Sequence, residues 1–261
     1  GPMPKTDTSE KGLETLIVNS LIDGAGYVAG DSRDFDRDHA VDLAKLSDFI
    51  TETQPKAAEA LGLNEDGPKR LQFLHRLQGE IAKRGVIDVL RNGIKHGPVS
   101  LELFYGTPSA GNPKAEELFA ANIFSVTRQL HYSKDGTKLS LDAAIFINGL
   151  PISTFELKNS LTKQTVEDAI EQYKRDRDPK ELMFQGKASW FLPFNKGWND
   201  GAGNPPNPHG LKTDYLWKEV LTKRNLTDIL ENYAQVVEET DDKGKKKPPK
   251  QVFPRFHQLD V

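Results

Sequence analysis

Hydrophobic and polar positions between residues 139 and 159 predict two adjacent antiparallel strands. Residues 143–147 are apolar at every position, which is typical of a strand covered on both faces. The pair Asn148-Gly149 then supplies the positive φ angles of a tight hairpin turn, and Pro151 suits the start of the second strand. We expect the rest of the chain to be organised around this hairpin.

Three charged residues mark the ends of these strands that lie away from the turn. Asp142 precedes the apolar run, while Glu156 and Lys158 share one face of the second strand because side chains alternate with a period of two. Antiparallel pairing brings these positions together. Two carboxylates and an ammonium group could hold Mg²⁺ against a phosphodiester and orient a water molecule. An ion pair at a sheet edge is the plainer interpretation, and the residues alone leave both open.

The same residues carry a resemblance to a known family. Asp142 followed by Glu156-Leu157-Lys158-Asn159 resembles the PD-(D/E)XK nuclease signature. The wider sequence is similar to the N-terminal nuclease domain of the restriction (R) subunit of type I restriction-modification enzymes. This similarity extends through four further segments, residues 125–132, 146–151, 164–179 and 191–197.

The resemblance implies an α/β fold of the restriction-endonuclease type. Its mixed sheet would be flanked by helices at 9–23 and 165–177, with a helical insertion at about 34–95. Residues 1–190 would form the endonuclease domain. Residues 191–261 would form a C-terminal extension and a linker towards a helicase motor outside this sequence. Relative to the family, the chain is shorter between Met183 and Trp190.

The resemblance also implies roles for the residues of the hairpin. Asp142 and Glu156 would bind Mg²⁺, for which Mn²⁺ could substitute, and the carbonyl of Leu157 would be a third ligand. Lys158 would assist the attacking water. ATP would act only through the motor domains.

Two more residues are candidates by resemblance. An acidic residue on the first helix of such nucleases can approach the metal, so Glu14 is a candidate metal ligand. The alternative is that Glu14 is a solvated surface charge. A glutamine on the helix after the hairpin helps to form the catalytic site in one branch of the family, so Gln172 is a candidate site residue. The alternative is that Gln172 is a surface amide. Asp176 stands where that branch has tyrosine, so only Gln172 is transferred.

The implied function is Mg²⁺-dependent hydrolysis of double-stranded DNA, coupled in the full enzyme to ATP-driven translocation. The partners would be the methyltransferase and specificity subunits of the restriction complex. One alternative is a catalytically silent nuclease-like module for DNA binding or subunit docking. A glycosidase using Asp142 and Glu156 is disfavoured, because a nearby Lys158 lowers a carboxyl pKa that a general acid needs raised.

Composition narrows these possibilities. The 261-residue chain has no cysteine and no apolar run of 18 residues, which favours a cytoplasmic protein without a membrane span. Its six histidines are never at metal-ligand spacing, so a zinc site is not expected. The net charge of −3 means that any contact with DNA must come from a local patch or from other domains and subunits.

The remaining periodicities predict the flanking elements. A helix at 9–23 places Leu13, Leu16, Ile17 and Leu21 on one stripe, with Glu14 at its shoulder. The other elements are helical segments at 40–52 and 71–91, a strand at 100–105, a helix near 115–121, a first sheet strand at 124–132, helices at 215–220 and 226–233, and a solvated linker at 238–250.

Overall fold

The computed structural model describes residues 10–131, 140–155, 221–233, 235–237, 242–245 and 250–252. A mixed sheet lies at its centre. Its four strands are β1 (Val28–Ala29), β6 (Phe124–His131), β7 (Ser140–Ile147) and β8 (Leu150–Phe155). They lie in the order β1-β6-β7-β8, in which β1 runs parallel to β6 and the other pairs are antiparallel. β6 is therefore not the first strand of the sheet, because the two-residue β1, too short to show periodicity, precedes it.

The predicted hairpin is confirmed. β7 and β8 are joined by Asn148 and Gly149, whose φ angles are 52° and 80°. The Asn148 side chain accepts from the Ile123 N–H at 2.6 Å and donates to the Leu103 carbonyl at 2.9 Å. A Cβ at Gly149 would lie only 2.4 Å from the Asp42 carbonyl oxygen. The turn therefore needs glycine both for its φ angle and for its close packing.

Helix α1 (Glu10–Asn19) continues as one π-helical turn at Ser20–Gly24, close to the predicted helix. The predicted stripe is wrong at Leu16, which is exposed at 37%. Among the described side chains of this helix, those of Glu14, Ile17, Val18 and Leu21 are buried. Their spacing of i, i+3, i+4 and i+7 defines the true inner face, so Glu14 lies on this face rather than at its shoulder.

The region predicted as a helical insertion contains most of the described helices. They are α2 (Leu43–Thr53), α3 (Pro55–Ala60), α4 (Pro68–Arg84) and α5 (Val86–Asn92), preceded by the short pair β2 (Phe35–Asp36) and β3 (Val41–Asp42). Apolar side chains of these helices, such as Phe49 and Phe73, belong to the same hydrophobic cluster as Ile145 of β7. The insertion is thus part of the main core.

A small ribbon and a helix connect this region to β6. The ribbon pairs β4 (Ile94–His96) with β5 (Val99–Leu101), so the strand predicted at 100–105 is shorter and begins one residue earlier. Helix α6 (Pro113–Ala120) begins where the Asn112 side chain accepts from the Ala115 N–H, and it matches the predicted short helix.

The C-terminal described segments are α7 (Lys223–Asp228), a π-helical turn at Ile229–Tyr233, β9 (Gln235–Val237) and β10 (Lys250–Val252). Leu226 and Leu230 are buried in the common cluster. β9 and β10 pair with each other, so Lys250, predicted as linker, lies in a strand. A domain boundary at 190/191 stays a prediction.

Three polar contacts anchor the segment 221–233 to distant parts of the chain. The Tyr27 hydroxyl donates to the Leu221 carbonyl at 2.8 Å. The Thr107 N–H donates to the Glu231 carboxylate at 2.6 Å, and Arg91 donates to the Leu230 carbonyl. Burial raises the pKa of Tyr27, so the phenol stays protonated in this contact. Among the described residues, none of the helices is long and apolar enough to cross a membrane.

Candidate functional site

Asp142 lies in β7, near the end remote from the hairpin turn. The pairs Arg128↔Ala143 and Leu130↔Leu141 flank it, so Gln129 is the residue opposite Asp142 on β6. On the other side, the described ladder with β8 ends at the pair Ala143↔Phe155. The predicted site residues Glu156, Leu157, Lys158 and Gln172 lie outside the described residues, as does the predicted helix at 165–177.

Glu14 is described and is 5% exposed, so the alternative of a solvated charge is wrong. One carboxylate oxygen, Oε1, accepts from Arg128 Nε at 2.7 Å. The other, Oε2, accepts from Gln129 Nε2 at 2.7 Å. The Arg128 guanidinium also donates to Thr15 Oγ1 at 3.0 Å, which ties two neighbouring residues of α1 to β6.

The backbone of Gln129 explains how two consecutive residues reach one carboxylate. Successive side chains of a regular strand point to opposite faces of the sheet. Gln129 has a φ of 47°, in the left-handed region, which interrupts this alternation. As a result the Arg128 and Gln129 side chains both contact Glu14.

The electrostatics of this cluster are balanced. A buried carboxylate is costly unless it is paired and hydrogen-bonded, and Arg128 supplies the opposite charge while Gln129 occupies the second oxygen. A metal ion that used Glu14 as a ligand would have to bind through the remaining lone pairs of the carboxylate, next to the positive charge of Arg128. No group of three or more His, Asp or Glu able to hold a metal occurs within the described ranges.

Sequence reasoning missed Arg128 and Gln129 as members of this cluster. A signal was present, because apolar and polar residues alternate from Phe124 to Thr127 and the alternation predicts an inward position for Arg128. A charged residue at an inward position of a strand indicates a buried partner. That partner could not be identified as Glu14, more than 100 residues away in sequence.

Asp42 is a second buried carboxylate, exposed at 1%. Its Oδ1 accepts from the Lys45 N–H at 3.0 Å and caps α2, while its own N–H donates to the Gly149 carbonyl at 2.9 Å. Burial raises its pKa, and the Lys45 N–H partly offsets this. Asp42 is therefore a structural N-cap of α2 that also connects this helix to the hairpin turn.

Comparison with known proteins identifies the family. Residues 7–196 match the family described as "Type I restriction enzyme R protein N terminus". The chain belongs to this family. The matched range includes every predicted site residue, from Glu14 to Gln172.

A curated relative points the same way. The "Putative type I restriction enzyme MjaIXP endonuclease subunit" of Methanocaldococcus jannaschii is 26% identical over 127 residues. That alignment covers 48% of this chain and 12% of the relative, so the chain spans a small part of that protein. No solved structure matches the chain. The matched family consists of N-terminal regions of type I restriction enzyme R proteins. This membership supports a nuclease rather than a glycosidase.

Proposed function

We propose that this chain is the N-terminal endonuclease domain of a type I restriction enzyme R subunit and that it hydrolyses phosphodiester bonds of double-stranded DNA with Mg²⁺. Family membership supports the restriction role. The mixed sheet with helices packed against it is compatible with a restriction-endonuclease-like α/β fold. The printed name of the relative supports nuclease chemistry.

The observation that carries the proposal is the register of the hairpin. In the β7–β8 ladder, Ala144 pairs with Thr154 and Ala143 with Phe155. The same register, if extended by one pair, would set residue 156 opposite Asp142. Cross-strand partners have Cβ atoms about 4.5–5.5 Å apart, so Asp142 and Glu156 could share one ion with ligand distances of about 2.1 Å.

The residues would then divide the work as follows. Asp142, Glu156 and the Leu157 carbonyl would hold Mg²⁺, which would polarise the phosphoryl oxygen and lower the pKa of the attacking water. Lys158, two residues beyond Glu156, would face the same side of the strand and orient that water. Gln172, on the predicted helix after the hairpin, would help to position these catalytic residues.

The Glu14 cluster supports this location for the site. Gln129 stands opposite Asp142 and is held by Glu14, which is itself neutralised by Arg128. The cluster would fix the strand beside the metal ligands, since a catalytic geometry needs side chains locked by their neighbours. In this arrangement Glu14 positions the site through Gln129 and is not a free ligand.

Cleavage in the full enzyme would follow translocation by an ATP-driven motor in another part of the R subunit. The methyltransferase and specificity subunits would supply the DNA recognition sequence. Mg²⁺ would be the resident ion, and Mn²⁺ its substitute in experiments.

DNA cleavage by the assembled restriction enzyme tests the proposal. Asp142→Ala and Lys158→Ala should each abolish cleavage while ATP hydrolysis stays at the wild-type rate, because the phosphate site of the motor would be separate. Cleavage at the wild-type rate by either variant would contradict the assignment. Wild type that binds DNA in the complex but never cuts it would favour a silent docking module.

A further inference from the structure

The exposed side of α4 is strongly positive in a chain whose net charge is −3. The helix carries five cationic side chains and one carboxylate. Three of the cations, Lys69, Arg76 and Lys83, are spaced by seven residues. In an α-helix this spacing offsets successive members by about 20° around the axis and about 10.5 Å along it. The three side chains therefore form one nearly straight row.

The row faces away from the core, because Phe73, Leu77 and Ile81 form the buried side of α4. Arg76 Nε donates to the Lys95 carbonyl at 3.4 Å, which brings β4 and the exposed Lys95 beside the row. We call Lys69, Arg76, Lys83 and Lys95 the basic face.

Acidic residues of a neighbouring segment lie on another side of the helix. Gln78 Nε2 donates to the Asp38 carbonyl at 3.1 Å, and this contact places the aspartate-rich segment 31–42 there. Glu80, the one carboxylate of α4, lies beside the row, because it pairs with Arg76 at 3.4 Å as well as with Arg84 at 3.1 Å. Glu80 therefore offsets part of the positive charge of the row.

The basic face retains uncompensated charge. Lys69, Lys83 and Lys95 form no ion pair with any residue in the described parts of the chain. Arg76 keeps 51% of its side chain exposed despite its contact with Glu80. Between the cations, the exposed positions Gln72 and Gly79 are short or uncharged, so a flat polyanion could approach the helix.

We propose that the basic face binds the phosphate backbone of duplex DNA without reading its sequence. This inference rests on the proposed nuclease function, and it supplies the local patch that an acidic chain needs to hold DNA. A row of about 21 Å spans about six base pairs of a duplex, which carries one charge per about 1.7 Å of axis.

Binding of the whole chain to a short duplex of arbitrary sequence tests this, measured by fluorescence anisotropy over a range of NaCl concentrations with EDTA present. The basic-face variant is Lys69→Gln/Lys83→Gln/Lys95→Gln. Arg76 is kept because it contacts the Lys95 carbonyl. The matched control, Lys56→Gln/Lys114→Gln/Arg224→Gln, removes three exposed cations elsewhere. Circular dichroism checks that both variants fold.

The basic-face variant should bind at least about tenfold more weakly at low salt. Its plot of log K against log salt should be shallower by about 2.7, because each lost phosphate contact removes about 0.9 from the slope. The control should keep the wild-type slope. Equal losses in both variants, or an unchanged slope in the basic-face variant, would overturn the proposal. Suppose instead that the wild-type chain binds polyglutamate as tightly as duplex DNA and that the basic-face variant loses this binding. That result would overturn the DNA proposal in favour of an acidic protein partner.

DNA cleavage by the assembled enzyme separates this inference from the nuclease assignment. A wild-type chain that binds duplex through the basic face but never cleaves it in the full enzyme would refute the nuclease function alone. A chain that cleaves DNA in the full enzyme, but whose DNA affinity does not fall when the basic face is neutralised, would refute only the proposal that the basic face binds DNA.

Discussion

Gln129 lies directly opposite Asp142 in the ladder between β6 and β7, while its side chain binds Glu14 of α1. One residue thus connects the first helix to the strand that carries the predicted metal ligand. The connection depends on the left-handed backbone of Gln129, because a regular strand would not direct it and Arg128 to the same carboxylate.

The pairing of Glu14 with Arg128 predicts a measurable coupling energy. Glu14→Gln leaves Arg128 without its counterion and should lower the free energy of unfolding by about 1–2 kcal/mol, a value reduced because the Arg128 side chain is 39% exposed. Urea unfolding of Glu14→Gln, Arg128→Gln and the double variant forms a double-mutant cycle. Additive single effects would show that the contact contributes nothing.

Glu156 provides a test of the metal site that does not need cleavage. In the proposed site Glu156 and Asp142 repel each other without metal, so Glu156→Gln should leave the metal-free chain equally or more stable. Mn²⁺ should raise the melting temperature of wild type and not of the variant, because a ligand that binds only the folded state stabilises it. Thermal melts with and without Mn²⁺ decide this. A shift of the same size in both proteins would remove Glu156 from the site.

Asp42 predicts a pH effect on stability. Burial raises its folded pKa above the ordinary 3.8, so its contribution is fully present below that value and is lost as pH rises through the folded pKa. Asp42→Asn keeps a capping oxygen without the charge, and at pH 7 it should be as stable as wild type or more so.

Asp42→Ala is the control for this prediction, since it loses the cap and should cost about 1 kcal/mol. Urea unfolding between pH 3 and pH 7 gives the comparison. An Asp42→Asn variant that is markedly less stable at pH 7 than at pH 3, relative to wild type, would show that the charged carboxylate is needed.

Gly149 predicts a steric effect with an internal control. Gly149→Ala combines a positive φ with a Cβ placed 2.4 Å from the Asp42 carbonyl oxygen, and it should cost more than about 2 kcal/mol. Gly97→Ala has a similar φ of 58° but no heavy atom within 4 Å, so it should cost only about 1 kcal/mol. Equal costs in denaturant unfolding would contradict the packing argument.

Local signals made the hairpin predictable. The apolar run, the Asn148-Gly149 pair and Pro151 agree with one another, and the observed strands meet at the predicted turn. The buried position of Glu14 was not predictable in the same way, because the apolar residues of α1 fit two stripes. Only the sheet, through Arg128, selects the stripe that includes Glu14.

Strand β1 could not be predicted from the sequence either, because it depends on long-range pairing. Val28–Ala29 is recognised as a strand only through its two parallel pairs with β6, about 100 residues later. The resemblance to type I R subunits was confirmed by the family match. The roles of Glu156, Leu157, Lys158 and Gln172 stay predictions.

The anchoring of residues 221–233 has a practical meaning for dissecting the R subunit. A fragment cut at residue 196, where the family match ends, would lack the segment whose Leu226 and Leu230 complete the shared interior. Tyr27, Arg91 and Thr107 would each lose one hydrogen bond in the same cut. A fragment that keeps all of these contacts therefore extends at least to Glu231, beyond the limit of the family match.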